Sequence, residues 1–371
     1  MCKPTVMISL REGGENGGPF RSHQRIIESS LSDIYNFVPL CVPKGRLGLF
    51  NIRVIKNLVG QMKSTKPDIV HFAGLQLEGF HVILACKFAG IKNTIIAIHG
   101  SSLEALNICT QKRVILNICE IITLRLSDYS YGVSKYVCSW KRVEKYSKNC
   151  FGHVYNISEF VETQNNYNAY KSFKDEISAD DNDILIVSTG RITIDKGFEI
   201  IKDVIKIGDF DSNVKFIIVG EGAYRKQMMN ELSDNISCEQ VVFTGFRDDI
   251  DHILSECDIF LMCSLHETLC ISVLEAGLHG LPSIVTDVGG LPEIIDDGCN
   301  GFLVNAGDTT GFINALEILI NNEDIRKAQS INAKKNIELN FSEKEITSKL
   351  DYVYSAILDS TKSLIVRGKT R

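Results

Sequence analysis

At 371 residues the chain is longer than one hydrophobic core usually supports, so two domains are expected. Hydrophobic residues at 44% and charged residues at 23% are ordinary soluble-protein values, and a net charge of −6 argues against nucleic acid as the main partner. No apolar run approaches a membrane span, and the opening MCKPTVMISL leads into a glycine loop without a signal-peptide cleavage site, so the plain reading is a cytoplasmic enzyme.

In chain order, the first half reads as strands TVMISL, NFVPLCV, DIVHFAG, TIIAIHG, DYSYGVS and FGHVYNIS. Amphipathic segments lie between them near 19–32, 50–65, 78–89, 103–126 and 134–147. The second half repeats the plan with DILIVSTG, VKFIIVG, QVVFTGF, CDIFLMCS, PSIVTD and GFLVN, and with helices expected near 197–207, 222–234, 248–255, 271–279, 308–321 and 323–338. Short β-branched runs separated by helices indicate parallel strands covered on both faces. The fold class is therefore α/β, with two doubly wound Rossmann-like domains. Their boundary falls in the polar stretch 158–183, giving domains of 1–165 and 166–341. A last helix near 342–360 is free to pack back across that boundary, and the tail KSLIVRGKTR reads as loosely ordered.

The twelve cysteines show no C-x-x-C spacing, and several sit inside apolar runs where a free thiol acts as a small hydrophobe. Disulfides and zinc are not expected.

In open parallel sheets, ligands bind beyond the carboxyl ends of the strands, so the residues just after each strand are the candidates. After the first strand, Gly17 and Gly18 close a glycine-rich loop ahead of a helix, where backbone N–H groups can approach a phosphate. His71 lies in the third strand run and His99 ends the fourth; each is either a packing residue or a hydrogen-bonding group for a polyhydroxy ligand. After DILIVSTG, the loop GRITIDKG places Arg191 and Lys196 together, a guanidinium fork and a point charge suited to a diphosphate. Gly220 and Gly222 follow the next strand as a tight turn, but no G-x-G-x-x-G lies anywhere in the chain, so NAD is poorly supported. Two Asp-x-Asp triplets, 181–183 and 209–211, precede their strands, at the wrong ends of the sheet for a metal on the ligand, and no metal or cofactor is expected.

HETLCISVLEAG, 266–277, carries two carboxylates eight positions apart. On one helix that step is about 80° and about 12 Å, so Glu267 and Glu275 cannot meet on one small group. CDIFLMCS before it is a strand, which puts Glu267 in the loop at its carboxyl end, Thr268, Leu269 and Cys270 at a helix start, and Glu275 within the helix. That arrangement suits two ends of one extended ligand.

The ordered set GGENGG, GRITIDKG, VGEGAYR, TGF, SLHETLCISVLEAG, GLP and TDVGGLPEIIDDGCNG resembles the family-4 glycosyltransferases, retaining enzymes of the GT-B fold with two domains facing across a cleft. The resemblance is dense from about 184 to 304 and weaker before. It implies that Arg191 and Lys196 hold the donor diphosphate, that Glu267 contacts the transferred sugar and Glu275 the ribose, that Gly17 or Gly18 lines the donor cleft, and that His99 stands near the sugar. It further implies a nucleoside-diphosphate sugar, uridine by family habit, a saccharide or lipid-linked acceptor held mainly by the first domain, and a place in bacterial cell-surface polysaccharide synthesis such as lipopolysaccharide O-antigen or capsule. Family members often carry Gly-Phe-Gly where this chain has Thr268, Leu269 and Cys270, so a narrower sugar pocket is expected.

Two other readings compete: a GT-B epimerase acting on a nucleotide sugar alone, and a non-catalytic GT-B scaffold. The basic and aromatic segment 134–148 reads either as a peripheral contact with an anionic membrane or as an ordinary amphipathic helix.

Overall fold

The computed structural model describes residues 3–11, 18–43, 48–104, 109–157 and 172–368, with side chains described to 360. Gly17 and most of the stretch 158–183 lie outside them. The chain forms two compact units, Met1–Ile157 with Glu343–Arg371, and Ser158–Ser342.

The first unit runs β1 (Thr5–Arg11), α1 (Gly18–Glu28), β2 (Asn36–Val42), α2 (Ile52–Thr65), β3 (Ile69–Ala73), α3 (Leu77–Ala89), β4 (Thr94–Ile98), α4 (Thr110–Leu126), β5 (Tyr129–Gly132), α5 (Lys135–Cys138), α6 (Lys141–Tyr146) and β6 (Cys150–His153). Its strands form one parallel sheet in the order β2-β1-β3-β4-β5-β6. Every residue of β3 and β4 is buried, which is why both read as near-continuous apolar runs, apart from His71 and Thr94, and not as alternating ones.

The second unit runs α7 (Phe173–Glu176), β7 (Ile184–Thr189), α8 (Phe198–Ile207), β8 (Val214–Val219), α9 (Arg225–Glu231), α10 (Ser233–Ser237), β9 (Val241–Gly245), α11 (Ile250–Ser255), β10 (Ile259–Met262), α12 (Ile271–Leu278), β11 (Ser283–Thr286), β12 (Gly301–Val304), α13 (Thr309–Asn321) and α14 (Glu323–Asn340). Its parallel sheet has the order β12-β11-β10-β7-β8-β9. The α/β class and the two doubly wound sheets are as expected. Ile186, Ile218 and Leu261 of this sheet pack with Ile201 of α8 and with Phe312 and Leu316 of α13 into one core.

The last helix, α15 (Glu343–Gly368), is part of the first unit. It continues past the expected end near 360. Ile346, Leu350, Val353 and Ile357 make its buried stripe at helical spacing, and Tyr354 lies fully buried beside them. Tyr35 Oη donates to Asp351 Oδ1 at 2.7 Å.

Three expected helices differ in extent. In the segment expected from 103, residues 103, 104 and 109 are not helical and α4 begins at Thr110, and the segments expected at 134–147 and 222–234 are each split into two short helices. In the first split, Ser139 caps α5 and Trp140 then caps α6 with extended backbone, so the chain turns between them. Among the described residues, no helix is long and apolar enough to cross a membrane, and none of the eleven described cysteines forms a disulfide.

Candidate functional site

Strand order places the strongest candidate. In the second sheet the chain starts at β7, moves outward through β8 and β9, then returns to the other side of β7 with β10. Connections therefore leave in opposite directions from β7 and β10, and such a switch point opens a crevice at the strands' carboxyl ends. The loops entering that crevice are 190–197 after β7 and 263–270 after β10, the two that carry Arg191, Lys196 and Glu267.

Glycine positions bring these loops together. Gly197 has φ +73°, and a Cβ there would stand 1.8 Å from the Cys263 carbonyl oxygen, so the chain after Lys196 rests directly on the end of β10. Leu265 N donates to Asp195 O at 3.0 Å and ties the same loops again. Gly289, after β11, has φ +60° and presses on Glu267 itself: a Cβ there would be 1.7 Å from the Glu267 carbonyl oxygen, which also accepts from Gly290 N at 3.2 Å.

The result is a close ion pair. Lys196 Nζ lies 2.6 Å from Glu267 Oε1, and Ser264 Oγ donates to the same oxygen at 3.1 Å. Glu267 is 7% exposed, so its carboxylate depends on these donors for the solvation it has lost. Burial alone would depress the Lys196 ammonium, but the Glu267 carboxylate and its hydrogen bond hold the lysine above its ordinary value, despite the nearby Arg191. Arg191 itself is exposed on the loop. The arrangement offers two cationic groups at a strand end, one of them fixed by a carboxylate, and can neutralise charge on a phosphorylated ligand.

The remaining candidates are placed as follows. At Gly220, a Cβ would come within 1.9 Å of the Gly190 carbonyl oxygen, and at Gly222 within 2.2 Å of that of Ile192. Both glycines thus hold the turn after β8 against the Arg191 loop. Leu269 and Cys270 are buried at 6% and 5% exposure, and Cys270 Sγ lies 3.1 Å from Met262 Sδ, so Thr268, half-buried, is the most exposed of the three. Burial pushes the Cys270 thiol well up, which removes it as a nucleophile. Glu275 sits half-buried in α12, on a different element from Glu267. Gly18 is the exposed first residue of α1.

His99 follows β4 in the first unit and belongs to a cluster that includes a histidine the motif reading missed. His23 of α1 has its ring 4.6 Å from His71 and 6.2 Å from His99. No spacing rule links position 23 to 71 or 99; the only signal was its place in the helix beside the first loop. His71 is held from both sides, Nδ1 at 2.7 Å from Tyr354 Oη and Nε2 at 3.0 Å from Tyr131 Oη. His23 Nδ1 lies 2.8 Å from Ser9 O. Desolvation lowers His23 to about 4, only partly offset by the Ser9 carbonyl, and lowers His99 to about 3, with His23 adding to the shift. His71 is pushed well below the ordinary range by burial and then by its two histidine neighbours.

These shifts set a pH dependence for the first unit. Each histidine is neutral when folded and titrates near 6.5 when unfolded, so below 6.5 the unfolded chain binds more protons. Stability is full above about 6.5 and falls as the pH drops toward about 4 for His23 and about 3 for His99. The slope is about 1.4 kcal/mol per pH unit for each histidine within its window. Urea unfolding followed through Trp140, the single tryptophan and a residue of the first unit, should show a lower midpoint at pH 5 than at pH 7.5. Equal midpoints would contradict the buried, neutral cluster.

The family model for glycosyl transferases group 1 matches residues 170–336. An uncharacterized 41.2 kDa protein in the cps region of Klebsiella pneumoniae is 28% identical over 84% of this chain and 85% of its own length. The N-acetyl-alpha-D-glucosaminyl L-malate synthase of Bacillus anthracis is 30% identical over 41% of this chain, an alignment that spans 40% of that relative. Among solved structures, Anabaena Alr3699/HepE in complex with UDP and glucose superposes with a TM-score of 0.76 at 17% identity, over 95% of this chain and all of that one.

Proposed function

Because residues 170–336 belong to the glycosyl transferases group 1 family and the chain has the GT-B fold, we propose that it is a retaining glycosyltransferase using a nucleoside-diphosphate sugar, with uridine diphosphate as carrier. The acceptor is a saccharide, and the product a bacterial cell-surface polysaccharide of the O-antigen or capsule kind. The observation that carries the reading is the Lys196–Glu267 pair, 2.6 Å apart at the switch point of the second sheet, with Arg191 on the same loop. UDP in the Anabaena structure supports the carrier, and the cps-region relative supports the destination.

Cleavage of the bond between the anomeric carbon and the diphosphate develops negative charge on the leaving phosphate. Arg191 and Lys196 stabilise that charge more in the transition state than in the ground state, and this difference is what accelerates the reaction. No metal is assigned to the diphosphate, because the Asp-x-Asp triplets stand ahead of β7 and β8, at the opposite ends of those strands. Glu267 positions the transferred sugar and fixes Lys196, Glu275 takes the ribose, and the turn at Gly220 and Gly222 lies along the donor. The acceptor is assigned to the first unit. A cytoplasmic site of action with peripheral membrane contact through 134–148 completes the reading; Lys135, Lys141, Lys145 and Lys148 of that segment are exposed.

A donor screen that measures nucleotide release with and without lipid-linked saccharides tests this. Acceptor-dependent release, with the anomeric configuration kept in the product by proton NMR, is expected. Release of nucleotide from no donor would contradict the reading, and an isomeric sugar formed without acceptor would replace it with an epimerase.

A further inference from the structure

The first unit holds a cavity of about 390 Å³ between α4 and α6, within the roughly 300–1,000 Å³ typical of small-ligand pockets. Its wall includes Trp140 and Tyr146, Lys141 and Lys145, and Asn117 and Arg142. Leu103 and Glu104, from the loop after β4, supply part of the wall, so one end of the cavity opens at the carboxyl side of this sheet, where open α/β sheets take ligands.

The chemistry of this wall is specific. Arg142 is clamped by Glu120, which is 0% exposed and also accepts from Ser101 Oγ at 2.8 Å and Ser102 N at 2.6 Å. Arg142 also donates to Ser101 Oγ at 2.6 Å and to Asn117 Oδ1 at 3.4 Å. A buried, multiply bonded pair is a rigid wall whose charge is already compensated. Lys141 and Lys145 are exposed, and among the described residues neither makes an ion pair; Lys145 Nζ stands over the Tyr146 ring, 5.4 Å from its centroid. The lining carries three cations against one carboxylate, Glu104, which accepts from Tyr136 Oη at 3.1 Å. Between 109 and 148 there are eight Lys and Arg against three Asp and Glu, in a chain whose net charge is −6. This local reversal of sign points to an anionic ligand.

Two aromatic rings beside amide and carboxylate acceptors point further, to a ligand with both flat apolar faces and hydroxyl groups. We propose that the cavity between α4 and α6 binds a phosphate-bearing saccharide, the phosphate at Lys141 and Lys145 and the sugar against Trp140. As an acceptor subsite this rests on the glycosyltransferase reading; as a binding site it does not.

Trp140 is the only tryptophan of the chain, so its fluorescence reports the cavity directly. The full-length protein is titrated with glucose 6-phosphate, glucose 1-phosphate, glucose and inorganic phosphate, with and without UDP, and separately with phosphatidylglycerol vesicles. A saturable change is expected with at least one sugar phosphate, with glucose and phosphate each about ten-fold weaker and UDP without effect on the change. The Lys141→Gln/Lys145→Gln variant, which leaves the buried Glu120–Arg142 pair intact, is expected to weaken sugar-phosphate binding about ten-fold with unchanged far-UV circular dichroism. Equal responses to glucose and glucose 6-phosphate, or no response to any sugar phosphate whether or not vesicles elicit one, would overturn the proposal. Calorimetry with UDP, GDP and ADP separates the two readings: a protein silent to all three whose Trp140 still responds to sugar phosphate has lost the donor reading and kept this one.

Discussion

Lys196→Ala is expected to lower kcat by about 10²–10³-fold, the usual effect of removing one preorganised group that faces developing negative charge. Its effect on the donor KM should be smaller, because the charge that Lys196 meets is greatest after the glycosidic bond to phosphate begins to break. Alanine also leaves Glu267 without the ammonium that stands 2.6 Å from it, in a site where that carboxylate is only 7% exposed. A double variant, Lys196→Ala/Glu267→Gln, removes the uncompensated charge. If the loss came only from stranding the carboxylate, the double variant would recover most of kcat; the leaving-group role predicts that it stays near the level of Lys196→Ala. Steady-state kinetics with circular dichroism as a check on folding decides between them.

Gly289→Ala should be nearly as damaging although residue 289 contributes no functional group. Its φ of +60° costs a side chain about 1 kcal/mol, and the new Cβ would stand 1.7 Å from the Glu267 carbonyl oxygen. That overlap is with backbone, so the 264–267 loop must move. A displacement near 1 Å in a positioning residue costs on the order of 10²-fold in kcat/KM. Gly298→Ala is the matched control: φ is +73°, yet nothing lies within 4 Å of its Cβ, so it carries the conformational cost without the collision. Equal kcat/KM in the two variants would show that Gly289 does not hold Glu267 in place.

The strands were legible because burial on both faces leaves an unmistakable pattern. IVHFA and TIIAI are apolar at every position outside His71 and Thr94, and both are wholly buried. Helix extents were less legible: α4 was expected from 103 and begins at Thr110, and the 134–147 segment breaks where Ser139 and Trp140 serve as caps, which hydrophobic spacing alone does not register. In the second unit, Arg191, Lys196 and Glu267 were readable as strand-end residues, but the ion pair was not, since its members are 71 positions apart and their approach depends on sheet order. The contribution of Gly197 and Gly289 was hidden for the same reason; each glycine was visible, the carbonyl it presses against was not. Side-chain burial was equally out of reach: Leu269 and Cys270 are buried, whereas Thr268 beside them is half-buried. His23 was missed because nothing in its local sequence connects it to His71 and His99, which β3 and β4 bring beside α1.

Calorimetric titration of the full-length protein with UDP, GDP and ADP tests the central claim, that the β7–β10 switch point holds a nucleoside diphosphate through Arg191 and Lys196. At least one of the three should bind the wild type, and the Arg191→Ala/Lys196→Ala variant should bind the same nucleotide at least about 30-fold more weakly, two charge-assisted contacts being lost. Binding of none of the three, or equal affinity in wild type and variant, would contradict it.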